Sequence, residues 1–190
     1  MIIGLCGKKR SGKDTVADFL CSEYNFKKIS FAHPLKRALQ EIFGWSEEYV
    51  QGDKKDIVDP YWGISPRQAM QLLGTDFAQY ILGERVPLFL ETTGRLLWVK
   101  RCLQEIEKDP FADWVISDVR FPHELEALQL RGASIIRITR PVVNRIIDTH
   151  ESETLIQDLS VDIDILNDGS IFELYSKVID AMHQLLYHTI

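Results

Sequence analysis

The chain has 190 residues, with 22 Lys and Arg against 28 Asp and Glu and a formal net charge of −6. That length suits one domain with room for a small insertion, and the acidic balance argues against a general nucleic-acid binder, which carries a basic domain or face. Cys6, Cys21 and Cys102 are odd in number and form no CxxC, so reduced, apolar thiols in a cytoplasmic setting are expected. No apolar run approaches the ~20 residues of a membrane span, and MIIGLC is too short for a signal peptide.

Residues 1–6 are a short apolar run ended by Gly7, the pattern of a buried strand. Val16, Ala17, Phe19 and Leu20 follow at near-helical spacing and predict a helix over 12–21. Residues 26–31 read as a second strand, and 34–43 as a helix beginning at Pro34. Residues 44–64 mix Gly, Asp, Lys and aromatics without a period and predict a mobile connection. Ser65-Pro66 offers an N-cap and a first-turn proline for a helix that ends near Gly74 or continues, bent, to Leu82. A further amphipathic helix is expected over 95–107. Residues 114–117 read as a strand ending at Asp118, and 122–130 as a helix stopped by Gly132. Strands at 134–138 and 162–166 follow, then a turn at Asn167-Asp168-Gly169, a cap at Ser170 and a last helix over 172–186. Short apolar strands alternating with helices indicate an α/β fold, with a parallel sheet covered on both faces. No repeat or flexible linker divides the chain.

Chemistry concentrates first in GKKRSGKDT, residues 7–15. Gly7, Gly12 and Lys13 fit G-x-x-x-x-G-K, placed as the motif requires between a predicted strand and a predicted helix. Glycines let backbone N–H groups turn inward around phosphate oxygens, and the helix start adds its positive end. Lys13 would reach the terminal phosphates; Lys8, Lys9 and Arg10 add positive charge suited to a small anionic ligand, and Ser11 completes the loop. Asp14 stands where a magnesium-holding Ser or Thr is expected. A carboxylate there suits the helix dipole and is also a hard ligand for Mg²⁺, so a structural and a metal-side role stay equally open. Thr15 retains a hydroxyl for a phosphate.

A second constellation is WVISDVRFPHE, residues 114–124. Asp118 lies at the carboxyl end of an apolar strand, where ligands bind in open α/β sheets. It is suited to Mg²⁺ or to a proton, Arg120 offers a planar cation for phosphate, and Glu124 is spaced to orient Arg120 or merely to pair with it. Residues 140–153 carry Arg140, Arg145 and His150, the composition of a lid over phosphates or of a solvated loop. Arg67 and Gln68 stand near the start of the 65–82 helix. Phe77, Tyr80 and Trp98 read by default as core.

Taken together, GKKRSGKDTVADF, FAHPLK, RQAMQLLGTD, LWVK, SDVRFPHE, DTHESE and LNDGS resemble the deoxynucleoside monophosphate kinases of phages and viruses, in order and over nearly the whole chain. Loops with Asp after the lysine are a feature of that family. The resemblance implies a three-layer P-loop kinase fold in a single domain over 1–190, with an acceptor-binding region at about 32–100 and a small lid at about 139–156. It implies γ-phosphoryl transfer from ATP, with Mg²⁺, to a deoxynucleoside 5′-monophosphate. By motif match Lys13, Arg10, Asp118 and Arg120 would be catalytic. Gly7, Lys9, Ser11, Gly12, Asp14, Thr15, Arg140 and Arg145 would hold ATP, and Asp14 and Asp118 would serve the metal. Lys36, Arg67, Gly74, Thr75, Trp98, Arg120, Glu124 and His150 would line the acceptor site.

Two other classes stay open. One is another small-molecule P-loop kinase, for phosphomevalonate or dephospho-CoA; the other is an ATP-binding switch without an acceptor. The expected partners are small nucleotides, with no nucleic acid and no membrane, and a homodimer is left open.

Overall fold

The structure, a computed structural model, describes residues 1–141 and 160–187. Among these residues five strands form one parallel sheet: β1 (Ile2–Cys6), β2 (Lys27–Ile29), β3 (Trp114–Val119), β4 (Ser134–Thr139) and β5 (Ile163–Leu166). Their spatial order is β2-β3-β1-β4-β5. β1 is central, with Ile3 opposite Val115 on one side and Ser134 on the other. Its unbroken apolar sequence follows from burial on both faces. Ile3, Leu5 and Cys6 are inaccessible to solvent, and burial pushes the Cys6 thiol up to about 12, which keeps it an inert apolar filler.

On one face of the sheet lie α1 (Lys13–Tyr24) and α9 (Ile171–Tyr187). Val16, Ala17 and Leu20 of α1 meet Leu174, Val178, Ala181 and Met182 of α9 over Ile3, Leu5, Val115, Ile136, Ile138 and Ile165. Each fully buried aliphatic side chain of this kind stabilises by roughly 1.5–3 kcal/mol. The intervening residue Gly4 faces the other way, where a Cβ would stand 3.3 Å from Leu128 of α8 (Pro122–Gln129). Helices therefore cover both faces, as the sequence pattern predicts. Among the described residues no helix is long and apolar enough to cross a membrane.

The chain divides into two compact units. Met1–Ser30 with Ile106–Ile190 holds the sheet; Phe31–Glu105 is helical. The helical unit contains α2 (Ala32–Phe43), α3 (Glu47–Gln51) and α4 (Pro66–Gln71), which runs on as a π-helix (Leu72–Ile81) and α5 (Leu82–Arg85). α6 (Pro87–Thr92) and α7 (Leu97–Ile106) follow. Its core gathers Leu35, Leu39, Trp45, Val50 and Ala69.

Several boundaries depart from expectation for physical reasons. Residues 44–64 hold α3 and a 3₁₀ turn (Asp53–Asp56) instead of an open connection. Their order comes from Asp59, whose carboxylate accepts the Trp45 indole N–H at 2.7 Å and the Tyr61 backbone N–H at 2.9 Å. Such carboxylate-centred order leaves no periodic signature. α2 begins at Ala32, so Pro34 lies inside its first turn and not at its first position. The helix from Ser65 takes the second of its two expected courses and continues past Gly74; a Cβ there would stand 2.5 Å from Leu35 Cδ2, so this glycine serves close packing. The continuous helix buries Gly74, Thr75, Ala78 and Gln79. Phe77 and Tyr80 are consequently 43% and 38% exposed, not core.

Where α4 starts, Ser65 Oγ accepts the Gln68 N–H while Gln68 Oε1 accepts the Ser65 N–H, a reciprocal cap. Ser65→Ala should lower stability by about 1 kcal/mol, read as a reduced urea midpoint at unchanged slope.

Candidate active site

β1 sits at the reversal of strand order, so the loop that follows it opens at the carboxyl edge of the sheet, where ligands bind in such folds. Gly7 adopts φ 141° and Gly12 φ 109°, both in the region that L side chains avoid. A Cβ at Gly7 would run into the Ile138 carbonyl oxygen of β4, and one at Gly12 would stand 2.6 Å from Asn167 Nδ2. Arg10, at φ 64°, completes the turn. No side chain caps the start of α1, so its first N–H groups stay available to an anion. The Lys13 ammonium is folded over the loop and donates to the carbonyls of Gly7 at 2.6 Å and Lys8 at 2.8 Å. Ser11 is 1% exposed, and its Oγ has no hydrogen-bond partner among the described residues. A phosphate oxygen is a fitting partner for such a hydroxyl.

β3 neighbours β1, and Asp118 belongs to the strand itself, one residue before its end at Val119. Arg120 follows in the turn to α8. Glu124 is 4% exposed, and its Oε2 accepts the backbone N–H of Arg120 at 2.8 Å and of Phe121 at 3.0 Å. The bond from this carboxylate to Arg120 thus runs to the backbone, and it shapes the turn. Burial, reinforced by the Asp118 carboxylate, pushes Glu124 up to about 8 against the pull of those two donors.

Asp14, in the first turn of α1, is 81% exposed and pairs with Lys28 at 3.0 Å; Lys28 also holds Asp18 at 2.9 Å. Thr15 is half-buried beside it. Arg140 follows β4, the other neighbour of β1, and is exposed. Arg145 and His150 lie outside the described residues. Among the described residues no three carboxylate, histidine or cysteine side chains converge. The residues that could hold Mg²⁺, which takes one or two protein carboxylates, are Asp118 and Asp14.

The helical unit holds the rest. Gly74 and Trp98 come together, the indole N–H donating to the Gly74 carbonyl at 2.8 Å. Thr75 is buried beside Gly74. Lys36 is half-buried on α2 next to Leu35, and Arg67 is ion-paired with Asp56. Sequence reasoning missed Gln79, which is buried and accepts from Arg95 Nη2 at 3.1 Å, with the guanidinium 4.7 Å over the Tyr80 ring. It also missed Asn167, whose placement in LNDGS was the one available signal.

The Glu124 carboxyl binds its proton more tightly folded than unfolded between the ordinary value of 4.5 and about 8. Its contribution to stability is therefore full below that window and is lost as pH rises through it. Glu124→Gln should flatten the fall of the urea midpoint across the window.

Comparison with known proteins completes this picture. A family profile described as deoxynucleotide monophosphate kinase matches residues 1–60 and 46–178. A protein of Acanthamoeba polyphaga mimivirus, provisionally named for that activity, is 36% identical over 189 residues, covering 96% of both chains. The deoxynucleotide monophosphate kinase of Enterobacteria phage T4 is 26% identical over 253 residues, covering 97% of this chain and 99% of its own. Among solved structures, shikimate kinase from Aquifex aeolicus superposes with a TM-score of 0.50 at 14% identity, covering 98% of each chain. Dephospho-CoA kinase from Campylobacter jejuni gives 0.51 at 12% identity, covering 100% of this chain and 98% of that one. At those identities the likeness speaks for the fold alone, and it is that of P-loop kinases. Fold, loop and matched length agree: the chain belongs to the deoxynucleotide monophosphate kinase family.

Proposed function

We propose that the protein transfers the γ-phosphoryl group of ATP to the phosphate of deoxynucleoside 5′-monophosphates, giving the diphosphates. The observation that carries the reading is the loop at 7–13, with left-handed glycines, an uncapped helix start and a lysine folded across it, in a chain of this family. Phosphate oxygens of ATP would take the loop N–H groups and the Ser11 hydroxyl, with Lys9, Arg10 and Thr15 beside them. The acceptor phosphate is ionised at neutral pH, so no strong base is needed and the rate comes from positioning and charge. Lys13, Arg10 and Arg120 supply positive charge against the negative charge of the transferring group, and Arg140 and Arg145 are assigned to the same phosphates. Asp118 and Asp14 would hold Mg²⁺, which would supply positive charge to offset that of the phosphates.

Lys36, Arg67, Gly74, Thr75, Trp98, Glu124 and His150 are assigned to the acceptor side. The coincidence of the helical unit, Phe31–Glu105, with the expected acceptor region supports this for the first five. Glu124 acts there through the turn that carries Arg120. Free cysteines support a cytoplasmic setting, in the host if the source is viral. A homodimer is compatible with the reading and not required by it.

A coupled assay with ATP, Mg²⁺ and a panel of deoxynucleoside monophosphates, ribonucleotides, phosphomevalonate and dephospho-CoA tests the proposal. Turnover of at least one deoxynucleoside monophosphate above all other acceptors is expected; turnover of none contradicts it. Lys13→Ala should retain the wild-type far-ultraviolet spectrum and lose about 10²-fold or more in kcat, as removal of one transition-state charge contact does. Near-normal turnover would sink the site assignment.

A further inference from the structure

Asn167 lies just after β5, far from the phosphate loop in sequence, yet it is built into it. Its side-chain Nδ2 donates to the Ser11 carbonyl at 2.8 Å in a buried bond that spans 156 residues. Its backbone N–H donates to the Thr139 carbonyl at 2.7 Å, so the residue is fixed to the end of β4. On its other side Lys177 of α9 holds the Leu166 carbonyl at 2.6 Å and the Asp168 carboxylate at 2.8 Å. Asn167 also occupies the space that Gly12 leaves open, since a Cβ on Gly12 would stand 2.6 Å from Nδ2.

The consequence follows from peptide geometry. A trans peptide carries its C=O and the following N–H in one plane, pointing to opposite sides of the C–N bond. With the Ser11 carbonyl held by Asn167, the Gly12 N–H is turned to the far side. At φ 109° Gly12 has no side chain to restrain the plane and has an unusually large conformational space. An external tether is what selects one orientation.

We propose that Asn167 is a positioning residue for ATP: it fixes the Ser11–Gly12 peptide so that the Gly12 N–H presents to phosphate. The inference rests on the reading of 7–13 as the ATP phosphate cradle. Asn167 need touch no substrate; it acts through the loop, so its loss falls on ATP and leaves the acceptor alone.

The test uses the full-length protein with Asn167→Ala and Asn167→Asp. The second keeps the shape packed against Gly12 but puts an acceptor where a donor is needed. Both are compared with wild type and Lys13→Ala by steady-state kinetics, varying ATP and the preferred acceptor separately, and by thermal melts. A lost buried hydrogen bond of about 1.4 kcal/mol corresponds to a tenfold change, so KM for ATP should rise about tenfold or more while KM for the acceptor stays within about twofold. A role confined to stability would lower the melting temperature and leave KM for ATP unchanged below it. That result, or failure of both variants to fold, overturns the proposal. If instead Lys13→Ala binds ATP as wild type does, the cradle reading itself fails, and the two failures are told apart.

Discussion

The backbone path from Gly7 to Gly12 is the constraint on which the rest depends. Three residues at positive φ, Gly7, Arg10 and Gly12, bring the peptide groups round at the end of the central strand, and each of the two glycines is hemmed by a neighbour that forbids a side chain. Ile138 of β4 closes on Gly7, and Asn167 beyond β5 closes on Gly12. The sheet order places β4 beside β1 and β5 beyond it, so the loop's shape is a consequence of the parallel topology and not of the loop residues alone. The same edge receives Asp118 and Arg120 from β3 and Arg140 from β4. Charge therefore accumulates around a site whose geometry the apolar sheet has already set.

Two buried carboxyl and amide groups illustrate how this edge is stiffened. Glu124 accepts two consecutive backbone N–H groups and so holds the turn that carries Arg120. Asn167 holds one carbonyl and one peptide plane. Neither needs to meet substrate to matter, because catalysis of phosphoryl transfer rests on pre-set donors and cations more than on covalent chemistry. The exposed Asp14–Lys28–Asp18 cluster is a different kind of feature: solvent weakens such pairs, so little holds Asp14 to Lys28.

The parts that could be read from the chain are those written in local periodicity. Strands at 2–6, 114–119 and 134–139, and helices after Gly12 and Ser65, carry apolar spacing or caps that neighbours in sequence decide. The loop was legible because its glycines and lysine are contiguous. Asn167 was not, since its partner is 156 residues away and its place in LNDGS, the one signal it carries, does not tie it to the loop. The order in 44–64 escaped for a related reason: Asp59 gathers Trp45, Tyr61 and Trp62 by single hydrogen bonds, without repetition. Phe77 and Tyr80 were misread because a π-helical stretch shifts which positions face inward, and ordinary 3.6-residue spacing does not describe it. Of the two courses open at Gly74, stop or continuation to Leu82, the helix takes the second, and the glycine packs against Leu35. These departures fall in the helical unit assigned to acceptor binding, where local rules are expected to give way.

Whether the loop delivers phosphate to an acceptor or to water separates a kinase from an ATP-driven switch, and the fate of the γ-phosphoryl group decides it. With ATP labelled in that group, Mg²⁺ and a deoxynucleoside monophosphate, the label should pass into the deoxynucleoside diphosphate in step with ATP consumption. Label released as inorganic phosphate, with no labelled diphosphate formed, would contradict the account.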